Sequence, residues 1–414
     1  MVASGIATDM SDEARRTEGF KQRTRVESAR ETLLDAVTPH DRTERVPLRD
    51  ADERVIATDV GAARPVPHYQ RAAMDGYAVR AADTFGASDR SPEQLRVAED
   101  VGPGTASRVH TGSELPAGAD AVVMVEDTDR QGESLTVFDA VAGGENVAPV
   151  GEDVEADQTL YEAGHRLRPS DLGLLKSVGL DAVEVYERPR VSVIPTGEEL
   201  VQDDPDPGEV VETNGQTVTQ YVERWGGEAT YRDVVSDDED ALRAAVEGDL
   251  DHDVVVTTGG SSVGERDLIP EVVDELGEVL VHGVALKPGH PVALGRVADT
   301  PVLMLPGYPV ACIVNAVQFL RPTLERAGHL PTRGPPTTDA RLTRKVVSGP
   351  GTRTYVRVQL GEDDEGVTAT PTRASGSGVL SSVALADGWV VVPERREGYD
   401  AGETVPVENW EASR

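Results

Sequence analysis

The sequence predicts a multidomain chain of α/β and β parts, with a doubly wound α/β domain at its centre. Three observations carry this. From Arg188 onward, short apolar runs alternate with amphipathic segments at helical spacing, the pattern of a parallel sheet wrapped by helices. Between Val55 and Val141, short apolar runs sit between Gly, Pro and Asp clusters, which marks a small β-rich unit. Beyond a linker holding Pro331, Pro335 and Pro336, Val356, Val358 and Leu360 recur at period two and predict an all-β tail.

In chain order, Met1 to Phe20 lack a basic region followed by an apolar core, so they read as a polar tail and not a signal peptide. Val26, Ala29, Leu33 and Val37 then predict an amphipathic helix. Gly143-Gly144 closes the β-rich stretch, and a helix is expected at Ser170–Val178, stopped by Gly179. In the α/β region, strands are expected at Val191–Ile194, Val234-Val235, Val254–Val256 and Val302–Leu305. Helices are expected at Gln216–Trp225, Asp238–Val246, Asp267–Leu276 and Pro309–Arg326. The most apolar window, Pro301 to Leu320, is broken by Pro306, Gly307, Pro309, Asn315 and Gln318, so it predicts strand, turn and helix instead of a membrane span.

Composition narrows the function classes. Of 414 residues, 38% are hydrophobic and 28% charged, a globular balance. Against 74 acidic residues stand 40 Lys and Arg, a formal net charge of -34. Such a surface repels nucleic acid and anionic membranes. Only Lys21, Lys176, Lys287 and Lys345 are lysines, and aromatics make up 4%, a composition resembling proteins of high-salt cytoplasms, with an ordinary acidic protein as the alternative. The single Cys312 excludes an intrachain disulfide and a multi-cysteine metal site, and suits a reducing cytoplasm.

Ligands of open α/β sheets bind beyond the carboxyl ends of the strands. Three segments fall there: Pro195-Thr196-Gly197-Glu198-Glu199, the run Thr257 to Asp267, and Leu305-Pro306-Gly307-Tyr308-Pro309. The middle run combines glycines, hydroxyls and a helix start, donors suited to an oxyanion, although a tight turn satisfies the same composition. Glu199, Asp237 and Asp267 sit at strand-to-helix junctions; they suit Mg²⁺, while N-capping accounts equally for Asp237 and Asp267. Lys287, in a Pro/Gly turn of a chain that otherwise uses Arg, suits a point charge for an oxyanion, with chance retention on a surface loop as the alternative. Nothing in the chain has the spacing of a zinc site or a serine-hydrolase elbow.

Eight segments, in order, resemble the MoeA/gephyrin family of molybdopterin molybdenumtransferases. They are Ala73 to Arg80 (Ala-Met-Asp-Gly-Tyr-Ala-Val-Arg), Thr111 to Val123, Gly151-Glu152-Asp153, Thr196-Gly197-Glu198-Glu199-Leu200, Thr213-Asn214, Gly259 to Asp267, Lys287-Pro288-Gly289-His290-Pro291 and Leu305 to Val310. The resemblance spans roughly residues 25 to 408. It implies a polar tail (1–22), a mixed linking domain (23–60 with 145–187), a β-rich inserted domain (61–144), an α/β molybdopterin-binding domain (188–333) and a C-terminal β-barrel (337–410). It also implies a cytoplasmic homodimer whose cleft is shared between subunits, with Asp75 and Thr111 reaching in from the partner chain.

The activity implied is transfer of molybdate or tungstate to the dithiolene of adenylylated molybdopterin, with release of AMP. By resemblance, Thr196, Gly197, Gly259, Gly260, Ser261, Ser262, Pro306 and Gly307 bind that substrate, and Glu199, Asp237 and Asp267 hold Mg²⁺. Lys287, His290, Arg353 and Ser377 take the oxyanion. The two oxyanions are nearly isosteric, and the sequence does not choose between them. Two residues depart from the pattern: His290 stands where many relatives carry Lys, and Tyr308 where Asn is common. A molybdopterin adenylyltransferase shares the α/β domain but lacks the flanking parts with Asp75, Thr111 and Arg353. A non-catalytic molybdopterin carrier or scaffold is the other rival.

Overall fold

Apolar strand runs and amphipathic helices dictate most of the elements seen in the computed structural model, which describes residues 23–259, 268–332, 334–372 and 376–412. The expected polar tail and the run 260–267 lie outside the described residues. The chain divides into two units, one of Thr43–Val185 and one joining Met1–Arg42 to Tyr186–Arg414.

In the first unit, strand β1 (Thr43–Pro47) meets a strand from the unit's other end, and helix α2 (Pro169–Ser177) starts on a proline. Val46, Ile56, Leu167, Leu175 and Val185 are buried together, so one core is built from both ends of the unit. The sequence between them forms strands β2 (Gly76–Val79), β3 (Glu93–Val97), β4 (Thr105–Val109), β5 (Ala121–Met124), β6 (Thr128–Gln131) and β7 (Ser134–Val137). Among the described residues these make one sheet in the order β5-β2-β4-β3-β7-β6. Tyr77, Val79, Leu95, Leu135 and Val137 fill its core. Gly76 is required there, because a Cβ would stand 1.9 Å from the Val123 carbonyl oxygen.

The second unit opens with helix α1 (Val26–Asp35), which buries Val26, Ala29 and Leu33 as their spacing predicts. After β8 (Ala182–Tyr186), which is the partner of β1, come β9 (Arg190–Pro195), α3 (Asn214–Arg224), β10 (Glu228–Tyr231), α4 (Glu239–Gly248), β11 (Val254–Thr258) and α5 (Leu268–Leu276). They are followed by β12 (Glu278–His282), β13 (Leu286–Lys287), β14 (Ala293–Val297), β15 (Thr300–Leu305) and α6 (Pro309–Asn315). The helix continues through a π-turn, Ala316–Leu320, into α7 (Arg321–Ala327). The sheet order is β10-β9-β11-β15-β14-β12, with the first four strands parallel. Strand order reverses between β9 and β11, which makes the gap beyond their carboxyl ends the switch point of the sheet.

Three expectations need correction. The parallel sheet is extended by two antiparallel strands, β14 and β12. The strand after α3 is Glu228–Tyr231 and not Val234-Val235, of which Val235 makes an isolated bridge to Thr196. The expected single helix over Pro309–Arg326 is interrupted by the π-turn.

The tail strands β16 (Thr337–Leu342), β17 (Arg353–Asp363), β18 (Gly366–Pro371), β19 (Gly388–Val392) and β20 (Thr404–Glu408) pair in the order β17-β18-β16-β20-β19. A further pairing of β17 with β19 closes the barrel. Val356, Val358 and Leu360 pack inside it, in line with their period. Tyr355 belongs to the alternate set yet is 2% exposed, because that face turns toward the α/β domain and not to solvent. There Tyr355 meets Trp389 and Trp389 stacks on Trp410. The Trp410 indole N–H donates to the Tyr221 hydroxyl (3.3 Å), and Tyr221 stacks on Trp225.

Candidate functional site

At the switch point three backbone segments converge. Pro195 on β9 is in register with Thr258 on β11, and the Thr196 amide donates to the Thr258 carbonyl (3.3 Å). The Gly259 amide donates to the Leu305 carbonyl (3.0 Å). Gly259 has a φ of +127°, and a Cβ there would stand 2.1 Å from the Thr196 carbonyl oxygen, so only glycine fits. A Cβ on Gly307 would lie 3.5 Å from the Gly259 Cα, which brings the turn after Pro306 to the same point. The hydroxyls of Thr196, Thr257 and Thr258 are buried there without a hydrogen-bond partner among the described residues. Gly260, Ser261 and Ser262 lie outside the described residues.

Two of the three predicted metal carboxylates share this edge. The Gly197 amide donates to the Val235 carbonyl (3.1 Å), and the Val235 amide donates to the Pro195 carbonyl (2.9 Å). These bonds set Asp237, two residues beyond Val235, beside the loop that carries Glu199. Glu199 is exposed, and a Cβ on Gly197 would crowd its carboxylate at 2.9–3.2 Å. The cap of α4 is Asp238, whose carboxylate accepts from the Ala241 amide (3.0 Å), so the capping alternative for Asp237 falls away. Asp267 lies outside the described residues. Another cluster, Asp249, Asp251 and His252, stands at the amino end of β11. Asp249 is already occupied by the Ser192 hydroxyl and the Arg232 guanidinium, a structural arrangement.

The predicted oxyanion residues lie along the junction of sheet and barrel. Strand β13 runs parallel to β17, with Leu286 opposite Arg353 and the exposed Lys287 opposite Thr354. The turn that follows is locked from α6: Asn315 Nδ2 donates to the carbonyls of Gly289 (3.0 Å) and Ala311 (2.8 Å). Gly289 has a φ of +109°, and a Cβ on it would stand 2.2 Å from Asn315 Nδ2. Burial, reinforced by the charge of Arg23, holds the His290 imidazole below its ordinary pKa. The Ser377 carbonyl accepts from the Val310 amide (3.0 Å), tying its barrel loop to the start of α6. Arg353 spans two carboxylates, Glu27 of α1 (2.6 Å) and Glu394 (3.0 Å).

Asp75 and Thr111 are joined within the other unit. Asp75 Oδ1 accepts from the Thr111 amide (2.7 Å) and the Thr111 hydroxyl (3.1 Å). These bonds, with nearby His110 and Arg108, hold the Asp75 carboxyl below the usual carboxylate range. Both residues are exposed.

Sequence reasoning missed Glu212 and did not assign roles to Asn315 and Asn214. Buried Glu212 accepts from the Gly215 amide (2.7 Å) and the Tyr231 hydroxyl (2.6 Å), which fixes the start of α3. Asn214 Nδ2 then donates to the Gly307 carbonyl (2.7 Å). An acid three residues before a helical amide was the available signal for Glu212.

Three family profiles match in succession: MoeA N-terminal region (domain I and II) over residues 24–179, probable molybdopterin binding domain over 192–326, and MoeA C-terminal region (domain IV) over 339–410. A putative molybdopterin biosynthesis protein of Methanocaldococcus jannaschii is 36% identical over 91% of this chain and 94% of its own length. The chain belongs to the MoeA family. Among other MoeA relatives, the molybdopterin molybdenumtransferase of Bacillus subtilis is 33% identical over 88% of this chain and 89% of its own. The crystal structure of a molybdopterin biosynthesis MoeA protein from Pyrococcus horikoshii superposes with a TM-score of 0.82 at 35% identity, covering 94% of this chain and 100% of that one. The MoeA assignment accounts for the α/β domain, the β-rich part and the closed barrel, and places the chain among the transferases of molybdenum cofactor biosynthesis. No helix among the described residues is long and apolar enough to cross a membrane.

Proposed function

We propose that this MoeA protein is a cytoplasmic molybdenum insertase that transfers molybdate or tungstate to the dithiolene of adenylylated molybdopterin, with AMP as the leaving group. The observation that carries this is the meeting of Thr196, Gly259 and Gly307 at the switch point, tied through α6 to the turn bearing Lys287 and His290. A strongly acidic chain here presents buried threonine hydroxyls and a conspicuous lysine, as two anionic substrates require.

In this reading the Thr196 hydroxyl, together with Gly260, Ser261 and Ser262, holds the phosphates, while Gly197 and Gly259, whose amides are already bonded, give room for their close approach. Pro306 and Gly307 shape the opposite wall. Lys287 attracts the oxyanion, and His290, Ser377 and Arg353, the last held by Glu27 and Glu394, complete its donors. The hard oxygen donors of Glu199 and Asp237 at one edge suit a divalent cation. With Asp267 they would hold Mg²⁺, which supplies charge compensation for the phosphates during cleavage of the anhydride. Asp75 stays ionised because Thr111 donates to it twice, and it would act across a cleft formed with a second copy of the chain.

The test is turnover of adenylylated molybdopterin with each oxyanion across a salt series, with AMP as readout. Oxyanion-dependent AMP release without ATP consumption is expected. Consumption of ATP would assign the adenylyltransferase reaction instead, and substrate binding without hydrolysis would assign a carrier.

A further inference from the structure

The chain is poor in aromatic residues, at 4%, yet it places one ring in the open at the ligand edge of the sheet. Tyr308 is 60% exposed, between Gly307 and Pro309 at the converging switch-point segments. An exposed large ring at a substrate edge is unusual unless it has a surface to cover.

Its position is also fixed. On one side, Asn214 Nδ2 holds the Gly307 carbonyl at 2.7 Å. On the other, the Val310 amide donates to the Ser377 carbonyl (3.0 Å), so the tyrosine stands between two anchored residues. The ring lies against the barrel loop at Gly378, where a Cβ would be 3.4 Å from its Cδ1 and 3.7 Å from its Cε1. These are ordinary van der Waals distances, so the ring packs directly on the loop at 378. Ser377, assigned above to the oxyanion, is the residue before it.

We infer that Tyr308 is a stacking platform for the flat nitrogen heterocycle of the substrate, and so determines affinity for its ring end. This rests on the proposed function, since adenylylated molybdopterin carries two such heterocycles, the pterin and the adenine. Stacking needs a ring and no hydroxyl, and ring-on-ring contact of this kind is tolerant of the heterocycle's edge pattern. The phosphates and oxyanion are then bound by backbone, hydroxyl and cationic groups, and the ring end by Tyr308.

The experiment compares the parent with Tyr308→Ala, Tyr308→Asn and Tyr308→Phe. Binding of a soluble pterin and of AMP is measured separately by calorimetry, and turnover of adenylylated molybdopterin by AMP release. Tyr308→Ala and Tyr308→Asn should weaken one of the two probes about tenfold, equivalent to about 1.4 kcal/mol, and raise KM with kcat little changed. Tyr308→Phe should recover most of that affinity. The probe that weakens identifies which heterocycle is stacked. If pterin, AMP and KM all stay within about twofold in Tyr308→Ala while the parent turns over normally, the platform is refuted and the insertase reading stands. A parent that releases no AMP with either oxyanion fails on the functional reading itself.

Discussion

Truncating Arg353 to alanine should destabilise the unit it holds together by about 3 kcal/mol. Its guanidinium bridges Glu27 on α1 and Glu394 in the barrel, with side chains 16%, 54% and 17% exposed for Arg353, Glu27 and Glu394. The Glu27 arm faces solvent and is of the kind that contributes about 0.2–1 kcal/mol. The Glu394 arm is the larger one, because removing one partner of a buried pair costs about 3–5 kcal/mol through the stranded charge. One Glu394 oxygen, Oε1, is already buried without a partner among the described residues, so the loss falls on a carboxylate with little to replace it. Residual solvent access to all three groups sets the total near the lower bound. At about 2–4 °C per kcal/mol, this moves a thermal midpoint down by about 6–12 °C.

Scanning calorimetry reads that shift, and Arg353→Ala with Glu394→Gln should recover about half of it by removing the stranded charge. The pH dependence follows from Glu27. Burial works to raise its pKa, but the hydrogen bond and charge of Arg353 outweigh it and leave the carboxyl below its ordinary 4.5. The Glu27 contribution is therefore complete above that ordinary value and is lost as pH falls through the lowered one. A midpoint within about 2 °C of the parent, or a double variant no better than the single one, would refute the buried-pair reasoning.

Other outcomes follow from the same geometry. Asn315→Ala removes the side-chain donor to the Gly289 and Ala311 carbonyls, the latter keeping its helical bond, so it should cost about 1–3 kcal/mol by urea titration and raise the KM for oxyanion. Since the folded pKa of His290 is lowered, its charge is absent near neutrality and develops only as pH falls below the ordinary 6.5. Oxyanion affinity should thus rise between about pH 7 and pH 5 in the parent and stay flatter in His290→Gln, as measured by calorimetry. Gly76→Ala sets a Cβ 1.9 Å from the Val123 carbonyl oxygen, and should unfold the β-rich sheet at lower temperature by circular dichroism.

Elements with a buried apolar run were legible in the sequence, because burial on both faces leaves a signature in consecutive residues. Strands β9, β11 and β15 are of that kind. Strand β10, by contrast, is an edge strand with a mostly solvent-facing Glu-Ala-Thr-Tyr sequence, and nothing in it separates strand from loop. Antiparallel β12 and β14 carry Glu278, Arg296 and glycine among their apolar residues and so lack a continuous run. Within the site, local residue type showed Lys287, Glu199 and Asp237, but not what surrounds them. Arg353 meets Glu27 across 326 residues of chain, and Asn315 reads from sequence only as a polar break in an apolar window. Both depend on packing between distant segments, which residue order alone does not encode.

The three tryptophans of the chain are Trp225, Trp389 and Trp410, all of them in the stacked array where the barrel meets the α/β domain. The Thr43–Val185 unit contains none. Indole emission from this protein is therefore a local optical signal: it senses the seam beside which Lys287 and Arg353 run, and is blind to melting elsewhere. Emission and backbone dichroism recorded on one sample through a salt or temperature ramp would separate loosening of that seam from loss of the sheets, with no dye attached.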